Sequence, residues 1–122
     1  MAFYESIIVI RQDVSSVEVD KIADGLKQVI TSRNGNIVKT EYWGLLPLQY
    51  EIKKNKKGHY YFMGIEADKP ILDELDRKIK LSESIIRSSM IRVDKISKEP
   101  SPILRAKKPE EENIVDVTST KD

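Results

Sequence analysis

Four lysines, Lys53, Lys54, Lys56 and Lys57, stand within five residues and are followed by Gly58 and His59. Like charges this close repel one another, and folding has no need of them. The cluster fits a solvated tip that discourages edge pairing, or a prong for a polyanion with aromatic residues behind it. This stretch alone leaves both readings open. Other reactive side chains carry less. His59 is the single histidine, and no second histidine or carboxylate stands at metal-ligand spacing from it. There is no cysteine, which removes disulfides, thiolate nucleophiles and cysteine-bound metals. No glycine loop of the phosphate-binding kind occurs, since Gly44, Gly58 and Gly64 are spaced for turns and strand contacts. Ser82, Ser84, Ser88 and Ser89 lack a nucleophile motif. Asp73 with Arg77 reads as an exposed helix pair. The expectation is a protein with no catalytic residues, metal or cofactor, and no small-molecule substrate.

The elements that position the lysines follow from periodicity. Phe3 to Ile10 is an apolar run expected to form an interior strand. Glu5 is costly to bury, which assigns Phe3, Glu5, Ile7 and Val9 to an open face and Tyr4, Ser6, Ile8 and Ile10 to the core. Ser15 with Glu18 is a capping-box pattern. Val19, Ile22, Ala23, Leu26, Val29 and Ile30 then recur at helical spacing, and Asn34-Gly35 ends that helix. Two strands follow, from about Ile37 to Ile52 and from His59 to Glu66, with Gly44 and Pro47 interrupting the first. The turn between them is read as Lys53 to Gly58, with Asn55 and Gly58 supplying positive φ. In the second of these strands Tyr61, Met63 and Ile65 point inward, which leaves Tyr60 and Phe62 beside Ile7 and Val9. Asp68-Lys69-Pro70 opens a second helix with the stripe Ile71, Leu72, Leu75 and Ile79. Ile85 to Val93 is the last strand.

The order β-α-β-β-α-β predicts an α+β, ferredoxin-like sandwich: a four-stranded antiparallel sheet with both helices on one face. The other face is expected to be open, apolar and aromatic, as binding surfaces are. The domain is placed at residues 1–96. Residues 97–122, with Pro100, Pro102, a basic patch at Arg105, Lys107 and Lys108, and Glu110-Glu111-Glu112, are placed in a flexible charged extension. The chain has 122 residues and a formal net charge of +1, so local clustering rather than a uniform positive field carries any argument for nucleic acid. Ile7 to Ile10 is too short for a signal segment or a membrane span, and a cytoplasmic protein without a membrane partner is expected.

The RNA-recognition motif shares this topology. Its signature opens with a basic residue and glycine and continues with alternating aromatics. Lys57-Gly58-His59-Tyr60-Tyr61-Phe62 matches the opening and one aromatic, but Tyr60 replaces a small residue and Gly64 an aromatic. A second set of residues agrees better with another family. Tyr4-Glu5, Trp43-Gly44-Leu45, Leu48 with Tyr50 and Ile52, His59-Tyr60, Glu74-Leu75, and Ile86-Arg87-Ser88 with Met90 and Arg92 occur in order over roughly residues 2 to 98. In these the chain resembles the bacterial small-subunit ribosomal protein six family. Leu45, Leu46 and Pro47 depart from it, standing where members usually carry one or two basic residues, and Gln49 replaces a small residue.

The resemblance implies the ferredoxin-like fold and a structural, non-catalytic role on the ribosome. It also implies binding to small-subunit (16S) ribosomal RNA together with small-subunit ribosomal protein eighteen. The residues expected to meet RNA are Lys53, Lys54, Lys56, Lys57, His59, Arg87 and Arg92. Those expected to meet the protein partner are Ile7, Val9, Tyr60 and Phe62. Two other readings compete: a free-standing RNA-binding regulator of the RNA-recognition type, and a small ferredoxin-like metabolic or effector-sensing domain.

Overall fold

A computed structural model describes residues 1–101. Its elements are β1 (Ala2–Arg11), α1 (Ser16–Thr31), β2 (Asn36–Ile52), β3 (Asn55–Ala67), α2 (Lys69–Leu81) and β4 (Ile85–Val93). The strands form one antiparallel sheet in the order β2-β3-β1-β4. The ferredoxin-like arrangement expected from the sequence is therefore present.

Both helices start where their caps dictate. The Ser15 hydroxyl accepts a hydrogen bond from the Glu18 N–H at 3.2 Å, and the Asp68 carboxylate accepts one from the Ile71 N–H at 3.2 Å. Each satisfies a donor that the first helical turn leaves without a partner. After α1 the chain reverses at Asn34, whose φ of 67° lies in the left-handed region that asparagine tolerates. The Gly35 N–H then reaches back to the Ile30 carbonyl oxygen at 2.9 Å. Val19, Ala23, Leu26 and Ile30 of α1 and Ile71, Leu75 and Ile79 of α2 close over Ile8, Ile10, Tyr61, Met63 and Ile65 of the sheet. The face assignment read from Glu5 holds, including buried Ser6.

The β2–β3 hairpin corrects two expectations. Gly44 and Pro47 do not interrupt β2, which runs unbroken with irregular register near both residues. β2 is a sheet edge, where a proline costs no ladder hydrogen bond. Gly44 sits at such an irregularity with φ 104°, a conformation open to glycine. The turn is also shorter than Lys53 to Gly58. It consists of Lys53 and Lys54 alone, at φ 47° and 68°, with Ile52 paired to Asn55. Positive φ at both central residues matches the right-handed twist of the strands.

Asn55 is buried and serves as the brace. Its amide donates to the carbonyl oxygens of Ile52 and Lys53, and its Oδ1 accepts from the Gln12 N–H at 3.0 Å. Gly58 lies within β3, where a Cβ would fall 2.3 Å from Val9 Cγ1, so its role is close approach and not turn geometry. Left-handed backbone costs a non-glycine residue about 1–2 kcal/mol. Replacing Lys53-Lys54 by Asn-Gly is therefore expected to raise stability by about 1–2 kcal/mol in a urea titration.

Candidate nucleic-acid and partner interface

The hairpin projects the lysines. Lys53 and Lys54 form its tip, Lys56 and Lys57 lie on the first residues of β3, and all four are exposed. Alternation along the strand points Lys56 and Lys57 to opposite sides. Among the described residues the ion pairs lie elsewhere, and none involves these four. The base of the hairpin is tied to the β1–α1 connection, where Gln12 accepts from the Lys57 N–H at 3.2 Å while its own N–H meets Asn55.

The remaining expected RNA residues divide. Arg87 is exposed on β4, paired with Val9 at the hairpin end of the sheet. It lines a shallow hollow of about 210 Å³ with Ile7, Val9, Tyr60, Ser88 and Ser89. Arg92 pairs with Tyr4 toward the other end of β4 and on the helix side, so it does not join this cluster. His59 is a correction. It is 6% exposed, on the helix side of β3, with Nδ1 2.8 Å from the Tyr42 hydroxyl and Nε2 buried without a partner. A ring enclosed in this way has no path to a phosphate. One residue outside the expected set belongs at this end: Arg11, exposed at the end of β1, paired with Gly58 and 2.9 Å from Asp13. A basic residue closing an apolar strand is the signal that marks it.

The sheet face away from the helices holds the second correction. Ile7, Val9, Tyr60 and Phe62 share it, as their parity implies, but it is not open. Val9 is 2% and Phe62 4% exposed, while Ile7 and Tyr60 are half-buried. Trp43 stacks on Phe62 with ring centres 5.5 Å apart and planes 12° from parallel, and the Lys39 ammonium lies 5.4 Å above the same ring. The chain past β4 adds to the cover. Ile96 is buried against Gly64, where a Cβ would fall 2.8 Å from Ile96 Cγ2. The domain boundary drawn after residue 96 thus falls beside a packed residue, and residues 97–101 continue over the sheet. The rest of the expected extension, residues 102–122, lies outside the described residues.

Lys39 and Glu41 fasten this segment. Lys39 Nζ donates to the Glu99 carbonyl oxygen at 2.6 Å and lies 3.5 Å from Glu41. Glu41 accepts from the Trp43 indole N–H at 2.8 Å and from the Ser101 N–H at 3.0 Å. Burial alone would push the Glu41 carboxyl up. Hydrogen bonds from Ser101 and Trp43 and the charge of Lys39 outweigh it and hold the carboxyl below its ordinary value. A depressed folded-state value contributes stability that is complete above the ordinary carboxylate range and lost as pH falls through the depressed value. Trp43 is the only tryptophan, so its emission is expected to change on acidification below that range. Glu41→Gln is expected to remove that acid transition.

Residues 3–92 match the family model described as Ribosomal protein S6. The chain belongs to the ribosomal protein S6 family. It is 52% identical over 118 residues to the small ribosomal subunit protein bS6 of Rickettsia prowazekii (strain Madrid E), covering 97% of this chain and 98% of that protein. It is 50% identical over 119 residues to the bS6 protein of Rickettsia bellii (strain RML369-C), covering 98% and 99%. The crystal structure of 30S ribosomal protein S6 from Thermotoga maritima superposes with a TM-score of 0.72 at 31% identity, covering 75% of this chain and 87% of that one. The C-terminal domain of the MgtC protein from Mycobacterium tuberculosis, at 9% identity and a TM-score of 0.56, shares the fold alone. As a small-subunit ribosomal protein of the S6 family, the chain is structural and non-enzymatic, and its place is the ribosome of the bacterial cytoplasm.

Proposed function

We propose that this S6-family chain binds small-subunit (16S) ribosomal RNA as a structural component, and does so together with small-subunit ribosomal protein eighteen. The observation that carries the RNA half is the braced hairpin, which holds Lys53, Lys54, Lys56 and Lys57 exposed and without ion-pair partners among the described residues. Phosphates are the ligands such a prong suits, because each contact releases condensed counterions. Arg87 and Arg11 extend the positive rim toward β1 and β4.

The partner half rests on apolar surface. A net charge of +1 gives little general pull toward a polyanion, so a second protein is needed to complete a tight complex. The surface proposed for it is half-buried Ile7 and Tyr60, over buried Val9 and Phe62, with the edge strand β4, where Ile91 is 60% exposed. Filter binding to a 16S central-domain fragment tests the proposal. Weak binding by this protein alone and much tighter binding with the partner is the expected result. Equal binding with and without the partner would refute the joint mode. Base-specific binding to short single strands would favour the free-standing regulator instead.

A further inference from the structure

The segment over the sheet is held in a way that any extended chain could share. Gly64 is the notch. With no side chain of its own, it admits Ile96, and a Cβ there would crowd Ile96 Cγ2 at 2.8 Å and Cδ1 at 3.1 Å. Beyond the notch, Lys39 and Glu41 grip main-chain atoms, the Glu99 carbonyl oxygen and the Ser101 N–H. Little apolar area is involved, because Asp94, Lys95 and residues 97–100 are exposed. A segment with one buried anchor opens at a small fraction of the cost of global unfolding.

The grip and the cover of Phe62 are one network. Lys39 lies over the Phe62 ring while its ammonium holds Glu99. Trp43 stacks on the same ring while its indole N–H holds Glu41, which holds Ser101. Residues 99 and 101 are thus held by the same Lys39 and, through Glu41, by the same Trp43 that cover Phe62. Buried aromatic anchors at the centre of a patch are what protein interfaces draw on.

We propose that residues 95–101 are a latch that occupies, in cis, the sheet face on which the protein partner docks, so that seating of the latch and binding of the partner compete. The inference rests on the partner reading given under Proposed function. A latch that is closed in most molecules weakens apparent affinity by the fraction open, so opening it tightens binding.

The test uses the full-length chain and alters the notch from both sides. Gly64→Ala fills the notch, Ile96→Ala removes the anchor, and the double variant restores room for a small side chain on each side. Trypsin cleavage after Lys95 and Lys98 reports latch seating without RNA or partner. Titration with ribosomal protein eighteen reports docking, and circular dichroism confirms that each variant is folded. Either single variant is expected to be cut faster than wild type and to bind the partner on the order of tenfold more tightly. The double variant is expected to return part of the way in both readouts. If Gly64→Ala fails to fold, Ile96→Ala carries the same expectation alone. Unchanged cleavage would show that no latch is seated. Faster cleavage with unchanged or weaker partner binding would show a structural strap and overturn the competition. A wild type that binds no partner would overturn the proposed function along with this inference, whereas wild-type binding with unaltered variants overturns the inference alone.

Discussion

Leu75→Ala is expected to lower the stability of the domain by roughly 2–5 kcal/mol, near the upper end of that range. Leu75 is 0% exposed and lies in the middle of the α2 stripe between Ile71 and Ile79. It packs in one cluster with Leu26 and Ile30 of α1 and Met63 and Ile65 of β3. Truncation removes the transfer free energy of the deleted carbons and leaves a void lined by residues from three elements. The β-branched neighbours have little rotamer freedom with which to fill it. A denaturant titration reads the loss as a lower midpoint with an unchanged slope. A change near zero would mean that α2 does not cover the sheet as described.

The second large effect is on binding. Replacing Lys53, Lys54, Lys56 and Lys57 together by Gln is expected to flatten the salt dependence of RNA affinity by about 0.7–0.9 for each phosphate no longer neutralised. The fold should survive, because the turn depends on backbone geometry and on Asn55, neither of which the lysine ammonium groups support. Removing four like charges from a crowded tip also relieves repulsion. The slope in a filter-binding series, with the partner present throughout, separates the alternatives. An unchanged slope would leave these lysines as solubility residues and shift the RNA-facing role to Arg87 and Arg11.

Periodicity made most of the architecture legible. Ser15 with Glu18, Asp68 with Pro70, and the two apolar stripes place both helices within a residue or two of their observed ends. The parity of Glu5 sorts β1 correctly, because burying a lone carboxylate is costly enough to decide between faces. Turn geometry was less legible. Lysine is a poor candidate for positive φ, so the rule that favours asparagine and glycine there pointed to Asn55 and Gly58. The chain instead uses Asn55 as a side-chain brace and Gly58 for close packing against Val9.

The candidate site was legible in part. Clustering of the lysines marks the prong without any structure. His59 misleads, since a histidine beside lysines invites a phosphate reading, and only its burial and its hydrogen bond with Tyr42 of β2 reveal its enclosure. The covered face could not be inferred, because one isoleucine among prolines, lysines and glutamates has no period to follow. Its docking depends on the absence of a side chain at Gly64, some thirty residues earlier in the chain.

The position of β1 between β3 and β4 has a consequence for how the chain is made. Ile10, near the end of the first strand, pairs with Ile85, which leaves the ribosome 75 residues later. At roughly 5–20 residues per second that is a wait of about 4–15 s. For the first part of it both edges of Ile7–Ile10 are unpaired; once His59 to Phe62 have emerged, β3 can protect one edge while the other stays unpaired. Vectorial synthesis thus leaves this apolar segment with at least one open edge until β4 has emerged. Proteolysis of stalled chains in which a C-terminal linker carries residues up to 84, or up to 94, clear of the ribosome would read this directly, with full protection of β1 expected only in the longer chain.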